Sequence, residues 1–264
     1  MADGVPSSTS GLMAASGDAG RLRLVAVIRH GLLPGLFLLL VFWTGLWAKV
    51  FEPLFPEINQ LIYSRTPFWK LVLQHLEMVA AAGLAACVIG VGLGIGVTRR
   101  SGREFLPMVN SLVSIGQTFP PVAVLALAVP AVGFGAKPTI VALFLYGILP
   151  IVRNTVAGLE SVPEHLKDSA RGMGMTDLQV LALLELPLAW PILMAGVRTS
   201  IIITIGTATI GATVGAGGLG APIIAGLNSE NPVFILQGAI LAGLFAVLVD
   251  RLLERLEGCF NGSA

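Results

Sequence analysis

Charge is what this sequence has least of. Only 12% of its 264 residues are Asp, Glu, Lys or Arg, 55% are apolar, and the mean hydropathy is +0.86. Soluble domains carry about 25% charged residues, so a soluble core of this size would lack its polar shell. Disorder is excluded by the same figures, because it requires low hydrophobicity and high net charge. A net charge of +1 leaves no basic excess to release counterions from a phosphate backbone, which removes nucleic acid as a partner. Two cysteines, Cys87 and Cys259, allow neither a disulfide framework nor a thiolate metal cage. His30, His75 and His165 are scattered, without metal-ligand spacing or a nucleophile nearby, so no catalytic or metal residues are expected. No G-x-x-x-x-G-K-[ST] run occurs, so the chain has no phosphate-binding loop of its own. All 15 acidic residues lie outside the apolar spans or, like Glu77 and Asp250, at their ends. A carrier driven by an ion gradient usually needs a carboxylate near the membrane midplane. What remains is a polytopic, all-α membrane helix bundle.

The charge-free runs cover 31–48, 78–98, 105–136, 138–152, 199–229 and 231–249. Crossing ~30 Å of hydrocarbon takes ~20 apolar residues. Six spans are therefore expected, at 33–50, 76–97, 107–131, 138–158, 191–213 and 233–250. Pro120-Pro121, after Phe119, must kink or split the third. The carbonyls freed there are tolerable only where protein or a water cavity satisfies them, which places Phe119, Pro120 and Pro121 either beside a translocation path or at a structural kink. Six spans put both termini on one side. Arg21, Arg23, Arg29, Arg99, Arg100, Arg103, Arg153, Lys167, Arg171, Arg251 and Arg255 then share that side, against Lys49, Arg65, Lys70 and Lys137 on the other. The positive-inside rule makes the richer side cytoplasmic. Arg198, the only charge inside a span, is expected to snorkel to the inner surface.

Four segments follow. Residues 1–20, small and polar, form a disordered tail. Residues 21–75 hold the first span, with interfacial Trp43 and Trp47, and an external amphipathic stretch (Ile58, Leu61, Ile62, Phe68, Trp69, Val72) lying on the membrane surface. Residues 76–250 form the core, with a large cytoplasmic loop at 158–190, and 251–264 form a cytoplasmic tail.

That loop is the most informative stretch. Ser161-Val162-Pro163-Glu164 has the capping-box pattern, opening a helix with Val162, Leu166, Ala170 and Met173 on one face. Glu164–Lys167 and Asp168–Arg171 are i,i+3 pairs, and Gly172 and Gly174 end the helix. Thr176-Asp177-Leu178-Gln179 is a second capping box, opening a short helix that must stop before Pro187.

Asp168-Ser169-Ala170, Gly174, Leu184 and Leu186-Pro187 fall at the spacing of the EAA motif: Glu-Ala-Ala, three residues, Gly, nine residues, an aliphatic, one residue, Leu-Pro. With Ile148-Leu149-Pro150-Ile151-Val152-Arg153-Asn154-Thr155, Gly172-Met173-Gly174-Met175, Ala195-Gly196-Val197-Arg198-Thr199-Ser200 and Gly215-Ala216-Gly217-Gly218-Leu219-Gly220, the stretch from about 70 to 250 resembles the permeases of bacterial ABC importers for osmoprotectants (glycine betaine, carnitine, choline). Asp168 stands where that motif has glutamate and Ser169 where it has alanine. The resemblance implies a coupling helix seated in a groove of a cytoplasmic ATPase subunit, through Glu164, His165, Lys167, Asp168, Ser169, Ala170, Arg171, Gly172, Met173 and Gly174, with Leu186 and Pro187 behind. It implies no cofactor in this chain, ATP and Mg being held by the partner ATPase. It also implies a second permease subunit, identical or similar, an extracytoplasmic solute-binding protein, and a place among the lipids of the bacterial inner membrane. Gly174 is expected to let backbones approach closely at the turn. A cationic solute would pass small polar groups, for which Asn154, Thr155, Thr204, Thr207 and Thr209 are candidates. Permeases for methionine, sulfonates or a betaine-like thiol stand as alternatives, and an ATP-independent carrier or a membrane enzyme stand further off.

Two glycine patterns remain. Gly215 to Gly220 matches G-x-G-x-x-G, which signals a dinucleotide only between a strand and a helix. After a membrane span it reads as a tight re-entrant segment, touching a partner subunit or binding protein, or as simple turn chemistry. Gly90/Gly94, Gly92/Gly96 and Gly211/Gly215 are G-x-x-x-G pairs, which pack helices closely either within the subunit or between subunits.

Overall fold

The computed structural model describes residues 31–261. The expected tail at 1–20, the early arginines, His30 and residues 262–264 lie outside them. Among the described residues the chain is helical, with no strand. The order is α1 (Gly31–Phe42), α2 (Gly45–Phe51), α3 (Phe68–Thr98), α4 (Leu106–Thr118), α5 (Pro121–Val132), α6 (Ala136–Glu160), α7 (Glu164–Gly172), α8 (Asp177–Val180), a π turn (Leu181–Glu185), α9 (Leu186–Ile210), α10 (Gly220–Asn228) and α11 (Pro232–Asn261). Four helical stretches are long and apolar enough to cross a membrane: α3, α6, the α8–α9 column and α11. The number reaches six if the bent pairs α1–α2 (97°) and α4–α5 (98°) each count as one span.

The bends have local causes. The third apolar run splits because Pro120 holds ψ 135 and Pro121 opens a new helix, so the ladder stops at Phe119. The Tyr146 hydroxyl donates to the Phe119 carbonyl and satisfies one group the break frees. The first run turns at Trp43-Thr44, where Trp47, buried, donates from Nε1 to the Leu40 carbonyl (2.9 Å) and stacks on Phe51. Trp43 stays exposed, with Lys49 over its ring.

Two boundaries differ from expectation. α3 begins at Phe68, not near 76, so Phe68 and Val72 belong to the bundle. The segment before it packs on α11 and does not lie apart: Gln237 donates to the Leu61 carbonyl and accepts from Tyr63 N–H, and Asn231 donates to the Gln60 carbonyl. The fifth span begins at Asp177, not near 191, because the helix opened at Thr176 does not stop before Pro187. The π turn just ahead of Leu186-Pro187 shifts the hydrogen-bond register by one, so the missing proline N–H falls at a junction.

The core lies where α3, α6 and α9 cross, with α11 closing one side. Small residues bring the helices together. A side chain at Gly90 would meet Ile151, one at Gly94 would meet Thr155, and one at Gly196 would meet Asn154. The Gly90/Gly94 pair thus serves packing within the subunit, whereas Gly92 and Gly96 face open space. Arg198 of α9 does not reach for the surface as a lone charge. Its guanidinium bonds Asp250 (2.9 Å) and Glu257 (3.3 Å) of α11.

Candidate functional site

α6 and α9 are joined by an elbow whose geometry is set residue by residue. Ser161 does not cap α7; its hydroxyl turns back to the Gly158 carbonyl (2.7 Å) at the end of α6. Pro163, at φ −58 and ψ 133, takes the N-cap place, and α7 starts at Glu164 with no side-chain cap. At its other end Gly174 N–H bonds the Arg171 carbonyl (2.9 Å) and Met175 N–H the Ala170 carbonyl (3.1 Å), with Gly174 at φ 88. That is the Schellman arrangement, and it needs a residue that tolerates the left-handed region. No atom lies within 4 Å of where a Gly174 Cβ would stand, so the glycine answers a backbone requirement and not a close approach inside this chain. The Thr176 box forms as expected, with Gln179 N–H donating to Thr176 Oγ1 and Thr176 N–H to Gln179 Oε1.

The expected single apolar face of α7 divides in two. Val162 and Ala170 are buried, whereas Leu166 and Met173 are exposed, Met173 by 78%. Met173 has left the helix as its C-cap, so the helical period no longer places it. With Leu178, also exposed, it leaves an apolar spot at the tip of the elbow. His165, Asp168, Ser169 and Gly172 are likewise open, and Leu186 and Pro187 sit behind, at the start of α9.

Both expected ion pairs form: Lys167–Glu164 and Arg171–Asp168, each at 3.3 Å. Arg171 also reaches Glu164 and Asp177, strapping α7 to α8. The bond from Lys167 holds the Glu164 carboxyl below its ordinary range, with Arg171 adding less, and the bond to Asp177 raises Arg171. A depressed carboxyl stabilises above its ordinary value and stops doing so as pH falls through the depressed one, so these straps are intact at neutral pH. Behind them a cleft of about 1330 Å³ opens between the ends of α3, α6 and α9, with Arg99, Arg100, Arg103, Glu160, Lys167 and Glu185 in its wall.

The residues expected along a pathway are not brought together. Thr155 and Thr204 are fully buried between helices, Thr204 Oγ1 donating to the Ser200 carbonyl, and no solute-accessible surface includes them. Asn154 donates to the Pro150 carbonyl against Gly196, and Thr209 to Gly206. Thr207 and Pro121 line one small pocket of about 10 Å³, room for a single water and not for a solute. Phe119 and Pro120 lie exposed at the α4–α5 break.

Sequence reasoning missed Gln74 and His75. The glycine loop after α9 has Gly215, Gly217 and Gly218 at φ between 70 and 81 and leads into α10, a short helix before the chain turns into α11. Gln74 Oε1 accepts from Gly218 N–H, and His75 Nδ1 accepts from Leu219 N–H (3.3 Å). With Nδ1 accepting, the ring proton belongs on Nε2, which faces the Ile205 carbonyl at 3.2 Å. His75 is thus a clasp between α3, α9 and the loop. Only a polar pair opening an apolar run hinted at it. His75→Ala is expected to cost about 1–3 kcal/mol for each buried group left without its partner. Faster amide exchange at 217–219 and a lower Tm in detergent would show it; unchanged exchange there would refute the clasp.

Among the described residues no cluster of His, Cys, Asp or Glu is placed to hold a metal. Residues 88–258 match the family described as "Binding-protein-dependent transport system inner membrane component". The chain belongs to that family. Its permease relatives include the glycine betaine/carnitine/choline transport system permease protein OpuCB of Bacillus subtilis, 42% identical over 184 residues, which are 70% of this chain and 84% of that one. The osmoprotectant import permease protein OsmY of Salmonella typhimurium is 42% identical over 180 residues, 68% of this chain and 76% of that one. Among solved structures, an inward-facing form of the MetNI methionine ABC transporter matches with a TM-score of 0.65 at 25% identity, covering 75% of this chain and 99% of its own. The chain is an integral membrane transport component, and the ATPase in such systems is a separate subunit.

Proposed function

We propose that this permease imports quaternary ammonium osmoprotectants, such as glycine betaine, carnitine or choline, at the expense of ATP hydrolysed by a partner in the cytoplasm. The relatives at about 40% identity carry this reading, since those names are their own substrates. The elbow from Glu164 to Gly174 is its coupling helix: a short body, braced along its length by ion pairs and strapped to α8 by Arg171, with an apolar tip at Met173. Such a body transmits a displacement that a flexible loop would absorb. The excess of Lys and Arg at this end of the bundle supports a cytoplasmic position for it and for both termini. A nucleotide-binding subunit holds ATP and Mg and docks on the elbow. A second permease copy, identical or similar, completes the pathway, and a binding protein delivers solute from outside the inner membrane.

The exposed break at Phe119-Pro120, with Pro121, Asn154, Thr207 and Thr209 nearer the subunit surface than Thr155 and Thr204, supports a path along α4–α5. Phe119 offers an aromatic face to a quaternary cation. In proteoliposomes containing permease, ATPase and binding protein, ATP-dependent uptake of glycine betaine is expected, competed by choline or carnitine and not by methionine. Competition by methionine alone would move the substrate to that of the MetNI neighbour. Uptake without the ATPase subunit would end the ABC reading.

A further inference from the structure

One buried charge is left unused by that reading. Glu185 fills the unspecified place between Leu184 and Leu186-Pro187, and its side chain is only 2% exposed. Inward positions down this column run Val180, Glu185, Ala189, Leu193 and Val197, with spacings of five, four, four and four. The single spacing of five is the π turn. A regular α-helix would have carried residue 185 off the inward stripe, so the π turn aims the carboxylate into the bundle. Arg99 Nη2 lies 2.6 Å from one carboxylate oxygen, a charge contact outside aligned hydrogen-bond geometry, and Lys167 Nζ lies 3.7 Å from the other. Arg99 is the C-cap of α3 and Lys167 stands in the middle of α7. A carboxylate this buried persists only when paired, and here its two cations come from two different elements.

We propose that Glu185 is a positioning residue of the transport cycle, tying α7 to α3 and to the base of α9, so that a load applied at α7 moves these elements as one body. This rests on α7 being the ATPase-docking element. Without the tie, the ion pairing between α7 and the α8–α9 column reduces to the exposed Arg171–Asp177 strap, and α3 is not held to the elbow by any ion pair among the described residues. A network with two cations on one buried anion gives way as a unit, which suits an element that must either hold or release.

The test uses the assembled complex of permease and ATPase, with Cys87 and Cys259 replaced by serine and nitroxides at Ser101, beyond α3, and Ala182, in the π turn at the base of the α9 column, diluted with unlabelled chain. Both positions are exposed. In the otherwise wild-type protein one narrow distance is expected, the same without nucleotide and after trapping with ATP and vanadate. Glu185→Gln, which keeps shape and removes charge, is expected to keep the narrow distance without nucleotide and to lose it on trapping, with a second, longer population. Glu185→Asp is expected to restore part of the narrow one. Should Glu185→Gln fail to assemble, Arg99→Gln breaks the same contact from its half-exposed side and gives the same split. Superimposable traces in both states would overturn the proposal, as would equal broadening in both, which marks a mere fold contact. If the ATPase stays bound to a Gly174→Asp chain, it is the docking reading that fails; if it leaves that chain while Glu185→Gln behaves as wild type, only the tie fails.

Discussion

Gly174→Asp is expected to yield a permease that folds normally and no longer holds its ATPase. Its backbone lies at φ 88, a region in which aspartate is better tolerated than most residues, and open space surrounds the position. Within this chain the substitution therefore costs little. On the proposed docking surface it sets a carboxylate beside Met173, 78% exposed, at the apolar tip. Burying an unpaired charge at the centre of an interface typically costs more than 2 kcal/mol, so affinity should fall more than about thirtyfold. Co-purification of the ATPase from detergent, with the Tm of the permease measured in parallel, decides it. An unchanged Tm with lost ATPase is the expected pair of results. Gly174→Val separates the backbone part: a β-branched residue in the left-handed region costs about 1–2 kcal/mol or more, so the Tm should fall along with binding.

How much of this was legible in the sequence varied with the physics behind each feature. A bundle of membrane-crossing helices is legible because hydrocarbon imposes length and apolarity on any helix that crosses it, although the count of spans stays between four and six. Thr176 was legible as a cap because its partner Gln179 lies three residues away. Ser161 is ambiguous in sequence because the same residue can close one helix or open the next, and Pro163 already occupies the entry geometry. The start of the α9 column is hidden in sequence because Pro187 reads as a stop; only the π turn makes it a junction, and nothing in a residue pattern announces a π turn. Glu185 and His75 share one difficulty. Each is a polar residue whose partners lie across the fold, Arg99 for the first and Ile205 with Leu219 for the second, so their roles exist only in three dimensions. The pathway was least legible. Hydroxyl residues in a span either line a cavity or bond back to their own helix, as Thr204 and Thr209 do, and composition does not distinguish the two.

Arg198→Leu is expected to destabilise the bundle by stranding two carboxylates between α9 and α11. The guanidinium bonds Asp250 through both Nε and Nη2 and Glu257 through Nη1, joining α9 to α11. These side chains retain 25%, 32% and 20% of their exposure, so the cost lies between that of an exposed pair, under about 1 kcal/mol, and a buried one, about 3–5 kcal/mol. A loss of about 2–3 kcal/mol follows, most of it from leaving two carboxylates without a cation where α11 leaves its apolar run. Arg198→Lys keeps the charge and forfeits the fork to Asp250, so a smaller loss is expected. The decisive comparison is the triple change Arg198→Leu, Asp250→Leu, Glu257→Leu. If stranded charge is the cause, removing the carboxylates as well returns much of the stability seen by thermal unfolding in detergent. Losses that simply add would locate the effect in packing, and the α9–α11 contact would then owe little to electrostatics.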